Sequence, residues 1–302
     1  MTVVAVETSV GRRVFSGAEE RKTELVGRQV SALTPEADGN CLAVIDASEI
    51  WRRSANGAWS QVAVADISLQ SLATLGKTLF AGGMDDAILL RYSNAKMERL
   101  ECFDETTGRD EWFAGGPPLG VRSVIATADG TALLAAVHVG GIPRSVDGGE
   151  TWAPTIPVMF DVHEVRAHAH LPNLVAAAAA VGLCVSKDAG LNWTVFSEGC
   201  ETMTCLAVAV LQDEVLFSVQ DGPFAKRSQI WKWQKGNERL EQVRDGLPEW
   251  LTGKVDTGWL ATDQRRVAIV DGGGSLWVSE TESAGWKRVA DDLPYALGLA
   301  IL

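Results

Sequence analysis

Seven short apolar segments of the chain each carry a polar side chain at the same position, and these side chains are the first candidates for chemistry. The seven residues are Ser31, Gln70, Arg122, His163, Thr204, Thr257 and Tyr295. An alternation that only filled a core would not place a polar residue there seven times. Arg122 can bind a carboxylate or phosphate through paired hydrogen bonds, and His163 is of the residue type that ordinarily titrates near neutral pH. The set contains no carboxylate.

Two functions fit these side chains. They suit the binding of a small polar or anionic metabolite, and hydrolase or lyase chemistry would use His163 as general acid or base and Tyr295 to stabilise a developing oxyanion. In the alternative, the polar groups bond only to one another and to water, in a non-catalytic scaffold for protein interaction or assembly. That scaffold would contact its partner through exposed aromatic side chains: Trp112, Phe113 and Phe224.

The next apolar segment of six units ends in a second set of polar residues: Glu7, Asp46, Asp85, His138, Gln220 and Asp271. Asp46, His138 and Asp271 are the ligand-binding candidates among them. Because neighbouring antiparallel segments return to the same end of a sheet, we expect these residues to join the ligand-binding group around Arg122. His138, His163 and Asp271 would then offer two imidazoles and a carboxylate, a ligand set that suits a divalent transition metal. No cofactor is predicted, and a metal at these residues is the alternative to metal-free binding.

The elements that carry these residues are recognised from a repeat marked by tryptophan, which numbers 11 against eight Phe and two Tyr. Trp152 and Trp193 each end a segment of the pattern Ser-x-Asp-x-Gly-x-x-Trp, and they lie 41 residues apart. Weaker copies extend the repeat along the chain, with end points 41 to 52 residues apart. These end points are Trp59, Leu100, Trp152, Trp193, Leu240 and Trp286.

Each repeat contains four short β-rich segments separated by Gly, Pro, Asn and Asp, a pattern typical of antiparallel meanders. Four-stranded units at this period are the blades of a β-propeller. The sequence therefore predicts an all-β, seven-bladed propeller that forms a single domain over residues 1–302. Six blades occupy 29–293, and the seventh combines 1–28 with 294–302. An inserted surface loop at about 104–119 accounts for the longest spacing.

The segment Ser145-x-Asp147-x-Gly149-x-Thr151-Trp152 resembles the Asp-box, or BNR repeat, of sialidase-like and sortilin-like propellers. A second segment, from Ser186 to Trp193, differs by Asn in place of Thr. In that family the box is a structural turn on the face opposite the functional one. The resemblance thus implies structural roles for Ser145, Asp147, Gly149, Trp152, Ser186, Asp188, Gly190 and Trp193.

The chain also departs from members of that family. Sialidases use an arginine triad and a tyrosine nucleophile, whereas only Tyr92 and Tyr295 are present here and Ile142-Pro143-Arg144 does not follow the Arg-Ile-Pro order. Sialidase activity is therefore not expected. In size the chain is similar to the photosystem II assembly factor type, which is exported and carries an arginine patch. The resemblance accordingly implies the fold alone.

The acidic composition argues against two classes of binding partner. The 302-residue chain carries 27 Lys and Arg and 39 Asp and Glu, which gives a net charge of −12. We therefore expect neither nucleic acid nor an anionic membrane as a partner. No segment reaches the roughly 20 apolar residues that span a bilayer. The five cysteines form no C-x-x-C pair, and no basic region precedes the first apolar run. We therefore expect reduced thiols and a cytoplasmic location.

Overall fold

The computed structural model describes residues 3–36, 39–113, 118–200, 204–222, 224–237, 239–280 and 285–301. These residues form seven antiparallel sheets arranged in a ring, which confirms the predicted all-β, seven-bladed propeller. Short helical segments occur only between strands among these residues: α1 (Glu101–Asp104) and single 3-10 turns at Arg109–Glu111 and Val158–Phe160. None of the described helices has the length and apolar character needed to cross a membrane.

The strands follow one another blade by blade. The chain starts with β1 (Val3–Thr8), β2 (Gly11–Ser16) and β3 (Glu19–Glu24). Blade I contains β4 (Val30–Pro35), β5 (Cys41–Ile45), β6 (Glu49–Arg53) and β7 (Trp59–Val64). Blade II contains β8 (Leu69–Leu75), β9 (Thr78–Gly83), β10 (Leu89–Ser93) and β11 (Lys96–Arg99). Blade III contains β12 (Val121–Ala126), β13 (Leu133–Val137), β14 (Pro143–Ser145) and β15 (Ala153–Pro154).

The second half of the ring repeats this order. Blade IV contains β16 (Val162–Ala167), β17 (Val175–Ala179), β18 (Gly182–Ser186) and β19 (Thr194–Phe196). Blade V contains β20 (Thr204–Val210), β21 (Glu214–Gln220), β22 (Arg227–Gln234) and β23 (Leu240–Gln242), and β24 (Leu251–Thr252) also pairs with β22. Blade VI contains β25 (Leu260–Thr262), β26 (Arg266–Val270), β27 (Leu276–Glu280) and β28 (Lys287–Ala290). The last strand, β29 (Ala296–Ile301), pairs with β1, so that β29, β1, β2 and β3 form blade VII.

The first strand of each blade faces the centre of the ring. β4, β8, β12, β16, β20, β25 and β29 contact one another around the channel. The second strands are almost wholly buried because both of their faces pack against neighbouring blades; β17, for example, reads Val-Ala-Ala-Ala-Ala and is buried throughout. Blade-to-blade packing therefore forms the core, and the starts of the first strands are left at one mouth of the channel.

Blade VI departs from the predicted register. The alignment of first strands places one start at Asp256, whereas β25 begins at Leu260. The Trp259 N–H donates to the Asp256 carbonyl at 3.0 Å, and Gly258 between them has a φ of +77°, so residues 256–259 form a turn. Thr257 consequently reaches the mouth from this turn instead of from a strand.

The insertion between β11 and β12 packs more closely than a free surface loop. Phe103 of α1 contacts the rings of Trp112 and Trp152 edge-on, at centroid distances of 5.7 and 5.0 Å. Trp112 is only 8% exposed, so the prediction that it belongs to an exposed aromatic surface is wrong. The reason is that its large apolar ring fills the space between blades II and III. Residues 114–117 of the insertion lie outside the described part of the chain.

The two turns that resemble Asp-boxes share one hydrogen-bond pattern. In the first, the Asp147 carboxylate accepts from the N–H groups of Glu150 and Thr151 at 3.0 and 2.9 Å and from the Thr151 hydroxyl at 2.6 Å. In the second, Asp188 accepts from the Asn192 N–H at 2.8 Å and from its side-chain amide at 2.7 Å. Asn can replace Thr because both side chains present a donor to the same carboxylate oxygen.

The serine, glycine and tryptophan of these turns also have equivalent contacts. Ser145 Oγ accepts from the Gly149 N–H at 2.9 Å, and Ser186 Oγ accepts from the Gly190 N–H at 2.8 Å. Both glycines have positive φ angles, of +94° and +80°. The indole of Trp152 is buried between blades II and III, and the indole of Trp193 packs at the boundary of blades III and IV. Each turn therefore joins its own blade to the preceding one.

We expect Asp147→Ala to destabilise the fold by about 1 kcal/mol at pH 7, because the turn loses an acceptor for two backbone N–H groups. These bonds, mainly those from Thr151, lower the pKa of Asp147 to about 2. A lowered carboxyl pKa stabilises the fold above the ordinary pKa, and this contribution is lost as the pH falls towards 2. Denaturant unfolding at pH 7 measures the effect, with the exposed Asp110→Ala as control. Equal stability of the two variants would contradict the expectation.

A buried ionic network lies at the boundary between blades VII and I. Glu24 of β3 accepts two hydrogen bonds from the guanidinium of Arg53, at 2.9 and 3.0 Å, and one from the indole of Trp59 at 3.1 Å. Arg12 lies 5.4 Å above the Trp59 ring, and its Nε is 3.3 Å from Oε1 of Glu7. Both Arg12 and Glu7 are inaccessible to solvent. These contacts add to the chain connection between β3 and β4, whereas the ring itself is closed by the pairing of β29 with β1.

Candidate functional site

A cavity of about 170 Å³ opens at the mouth of the channel. Five of the seven aligned polar residues line it: Ser31, Gln70, Arg122, Thr257 and Tyr295. They come from blades I, II, III, VI and VII, each at the start of a first strand or just before it. Gln29, Asp256 and Trp259 complete much of the polar and aromatic wall. The ring of blades therefore brings side chains far apart in the sequence to one small cavity.

Arg122 contributes a positive charge to this cavity, where it contacts Asp256 and Thr257. Its Nη2 lies 3.5 Å from Oδ1 of Asp256 and donates to the Thr257 hydroxyl at 3.4 Å. Lys254 Nζ approaches Oδ2 of the same aspartate at 2.5 Å. The expectation of polar side chains without a carboxylate at the mouth is thus corrected, because the 256–259 turn brings Asp256 into the cavity. Two cations around one carboxylate leave a positive balance, and Arg122 remains 23% exposed.

The charge of Lys254 is supported by that aspartate. Burial lowers the pKa of the ammonium group, but the hydrogen bond and charge of Asp256 outweigh burial and raise the pKa. Tyr295 stands nearby at the rim, 57% exposed, with its ring edge-on to Trp259 at 5.2 Å. Its hydroxyl is therefore accessible to a molecule entering the mouth.

Glu164 holds the turn that carries these groups, and sequence alignment did not select it. This buried carboxylate accepts from the Val208 N–H of blade V at 2.9 Å and from the Gly258 N–H of blade VI at 3.1 Å. It also accepts two hydrogen bonds from the Arg166 guanidinium. Burial raises its pKa, although Arg166 and the two N–H groups oppose this. The only signal in the sequence is a charged residue inside the apolar run of β16.

Arg122 also separates the mouth from the inside of the channel. A smaller cavity of about 60 Å³ lies beyond it, lined in part by Arg122, Arg166 and Thr257. A third cavity, of about 240 Å³, opens between first strands towards their far ends and includes Arg166 and Gln264. Arg122 therefore lies where a small molecule entering at the mouth would first meet the channel interior.

Two histidines meet a carboxylate beside the mouth. Nε2 of His138 lies 3.3 Å from Oδ1 of Asp161, and Nε2 of His163 lies 3.7 Å from Oδ2 of the same residue. Both imidazoles are buried, whereas the Asp161 side chain is 31% exposed. Neither approach has the geometry of a hydrogen bond, and Oδ1 of Asp161 has no hydrogen-bond partner among the described residues.

His163 is held in one orientation by the neighbouring blade. Its Nδ1–H donates to the Cys205 carbonyl at 2.8 Å, which leaves the lone pair of the neutral ring on Nε2. Burial and, next, the charge of Arg122 lower its pKa to about 4, although Asp161 opposes the shift. The argument for His163 as an acid or base from its ordinary pKa is thus corrected: the ring is neutral at pH 7.

The remaining candidates occupy different places. Asp46 lies at the rim, where it accepts from the Gln29 N–H at 2.8 Å and pairs with Arg28. Thr204 begins β20 opposite Gln220, and residues 201–203 before it lie outside the described chain. Asp271 is not brought to the histidines.

Asp271 instead caps its own turn in blade VI. Its carboxylate accepts from the N–H groups of Gly273 and Ser275, at 2.9 and 3.0 Å, and from the indole of Trp277 at 3.2 Å. These bonds direct the side chain back over β27, away from the channel. Asp161, two residues before His163, takes the position by the histidines that the alignment proposed for Asp271.

A scan against family models finds no match, and none of the curated proteins is similar in sequence. Solved structures, however, share the fold. The GH74 enzyme of Niastella koreensis matches with a TM-score of 0.61 and 12% identity over 94% of this chain and 46% of its own. An ancestral GH74 enzyme matches with a TM-score of 0.66 and 13% identity over 87% of this chain and 39% of its own.

The GH74 xyloglucanase of Xanthomonas campestris matches with a TM-score of 0.62 and 16% identity over 95% of this chain and 47% of its own. This chain therefore spans less than half the length of each of these three structures. Glycoside hydrolase propellers are thus among its structural neighbours, and at these identities the likeness shows the fold. The class defined by fold and site is a seven-bladed β-propeller with a polar cavity at its channel mouth.

Proposed function

We propose that the protein binds a small polar or anionic metabolite at the channel mouth, with Arg122 as its anchor. The observation that carries this proposal is the convergence of five aligned polar side chains, from five blades, on one cavity. At about 170 Å³ the cavity is smaller than the roughly 300–1,000 Å³ typical of drug-sized ligands, so a molecule of few heavy atoms fits it best. A carboxylate or phosphate would accept from Arg122 and neutralise the positive balance around Asp256.

Hydrolase chemistry at this mouth is the catalytic form of the proposal, and the glycoside hydrolase neighbours support it only at the level of fold. The exposed hydroxyl of Tyr295 can donate a hydrogen bond to an oxyanion at the rim. Glycosidases ordinarily need two carboxyl groups flanking the scissile bond. Asp256 is already held by Arg122 and Lys254, so a small anion fits this cavity better than a polysaccharide. Lyase chemistry would use the same anchor.

The proposal is tested with Arg122→Gln, which removes the guanidinium and keeps a polar side chain. Thermal-shift and calorimetric measurements with a panel of small carboxylates and phosphates first identify a ligand of the unmodified protein. We then expect Arg122→Gln to weaken its binding about 10- to 100-fold, because a charge-assisted paired hydrogen bond is lost. Arg244→Gln removes an equal charge from the exposed outer side of blade V and serves as control.

Two results would contradict this assignment. One is a ligand whose affinity is the same for the unmodified protein and for Arg122→Gln. The other is equal weakening by Arg244→Gln, which would show that overall charge, not the cavity, governs binding. Circular dichroism and thermal unfolding of both variants establish that each is folded before binding is compared.

A scaffold function is the second candidate, favoured by two exposed aromatic side chains. Phe224 is 93% exposed and Phe113 64% exposed, and aromatic side chains are enriched where proteins contact their partners. In this function the polar mouth would bind only water. Replacing both phenylalanines with serine would abolish capture of the partner and leave binding of small anions unchanged.

We further propose that the turns at 145–152 and 186–193 are Asp-boxes and that the protein is cytoplasmic. The shared pattern of carboxylate hydrogen bonds supports the first statement. The second is supported by the cysteines, four of which are buried as free thiols.

A further inference from the structure

The contact between His163 and Asp161 places two hydrogen-bond acceptors face to face. The Nδ1 proton of His163 is committed to the Cys205 carbonyl, so its Nε2 presents a lone pair to the carboxylate oxygen 3.7 Å away. Two lone pairs at this distance repel unless a cation lies between them.

His138 adds a third ligand atom on the other side of the carboxylate. Its Nε2 lies 3.3 Å from Oδ1 of Asp161, an oxygen that is buried and has no hydrogen-bond partner among the described residues. Metal–nitrogen and metal–oxygen bonds of about 2.0–2.2 Å at tetrahedral angles separate neighbouring ligand atoms by roughly 3.4 Å. The separations of 3.3 and 3.7 Å, which run to the two different oxygens of Asp161, are close to this spacing. One ligand atom from each of the three residues can be chosen so that all lie within 4.8 Å of one another.

We propose that His138, Asp161 and His163 bind a divalent transition metal ion at the channel mouth. Two imidazole nitrogens and one carboxylate form a ligand set suited to Zn²⁺, with a position left open. The Cys205 carbonyl acts as the outer partner of His163, fixing the ring in the tautomer that a metal requires. The 31% exposure of Asp161 gives an ion access from solvent.

This site is distinct from the anchor in the proposed function and does not rest on it. The charge of Arg122 acts on both histidines, so the two sites are neighbours. The metal is nevertheless proposed from its own three ligands and can be tested with no ligand in the mouth cavity.

The test uses Zn²⁺ and Co²⁺ alone as probes. The full-length protein is stripped with a chelator, dialysed, and titrated with each ion. Bound metal is counted by mass spectrometry after gel filtration, and Co²⁺ is followed by its visible absorption. We expect one ion per chain, and a rise in Tm of about 5 °C at a metal concentration a hundredfold above Kd. His138→Gln, Asp161→Asn and His163→Gln should each weaken binding at least 100-fold.

His170→Gln is the matched control, because His170 is an exposed histidine outside the cluster. It should bind one ion with unchanged affinity. Should a buried-histidine variant fail to fold, Asp161→Asn still decides the question, since this residue is partly exposed and changes by one atom. The proposal is overturned if the unmodified protein binds no stoichiometric metal. It is also overturned if Asp161→Asn binds the metal as tightly as the unmodified protein, or if His170→Gln loses the ion. Arg122→Gln should retain the metal, so the two sites can fail separately.

Discussion

Replacing Glu164 with alanine should destabilise the protein by about 3–5 kcal/mol at pH 7, the largest effect we expect of a single substitution. The carboxylate accepts from the buried N–H groups of Val208 and Gly258, which belong to two different blades. Without it both donors lose their partner at a position that is inaccessible to solvent. Arg166 loses its counter-charge as well, although its side chain is 38% exposed and remains partly hydrated.

The same change should also disorganise the candidate site. The bond from Gly258 to Glu164 holds the 256–259 turn, and this turn presents Thr257 and Asp256 to Arg122. We therefore expect Glu164→Ala to lose binding at the mouth even at temperatures where it is folded. Equilibrium unfolding in denaturant and ligand titration measure the two effects.

Two variants control this experiment. Glu164→Gln keeps the shape and one acceptor oxygen, so its loss of stability should fall between those of the unmodified and alanine proteins. Glu241→Ala breaks an exposed ion pair with Lys232 and should cost less than about 1 kcal/mol. A loss below about 1 kcal/mol in Glu164→Ala itself would show that the blades do not depend on this carboxylate.

Burial of Glu7 should make the free energy of unfolding of the protein fall as the pH rises from 5 to 8. Burial raises its pKa from 4.5 to about 7, and the opposing charge of Arg12 only partly offsets burial. The folded state therefore holds a proton that the unfolded chain releases from about pH 4.5 upwards. Protonated Glu7 makes its full contribution to the free energy of unfolding below pH 4.5. This contribution is lost as the pH rises through 7. One pKa unit corresponds to 1.36 kcal/mol, so the loss is about 2–3 kcal/mol between pH 5 and 8.

Glu7→Gln isolates this contribution because glutamine keeps the shape and does not titrate. We expect the free energy of unfolding of the unmodified protein, relative to Glu7→Gln, to fall by about 2–3 kcal/mol between pH 5 and pH 8. Glu19→Gln, an exposed change of the same charge in the same blade, controls for net charge. A difference between the unmodified protein and Glu7→Gln that is constant over this range would refute the raised pKa.

Much of the fold could be predicted because its signals are local. The Ser-x-Asp-x-Gly-x-x-Trp segments contain the donors, the acceptor and the left-handed glycine of their own turns within eight residues. The alanine-rich segment of β17 forms the second strand of its blade, as its place in the repeat requires. Blade VI was misaligned at its first strand because a turn closed by Gly258 looks in sequence like the start of a strand.

The candidate site could be predicted only in part. Alignment found Arg122, Gln70 and Tyr295, because residues at equivalent positions of a closed ring must meet at its axis. It could not find Asp256 beside Arg122, since that contact joins blades III and VI across the channel. The alignment also placed Asp271 beside the histidines, where the structure has Asp161. The direction of a carboxylate depends on the turn N–H groups from which it accepts hydrogen bonds, and the alignment does not show these.

By itself, then, the sequence determined the seven-bladed ring, the turns that join neighbouring blades, and the polar position that faces the mouth. These follow from strand alternation and short-range hydrogen bonds, which act over a few residues. Only the tertiary structure decided the ionic state and pairing of the groups at the mouth: the neutral ring of His163, the carboxylate beside Arg122, and the buried Glu164 that holds their turn. Burial and the approach of charges from distant blades set those properties, and neither is encoded in any one segment of the chain.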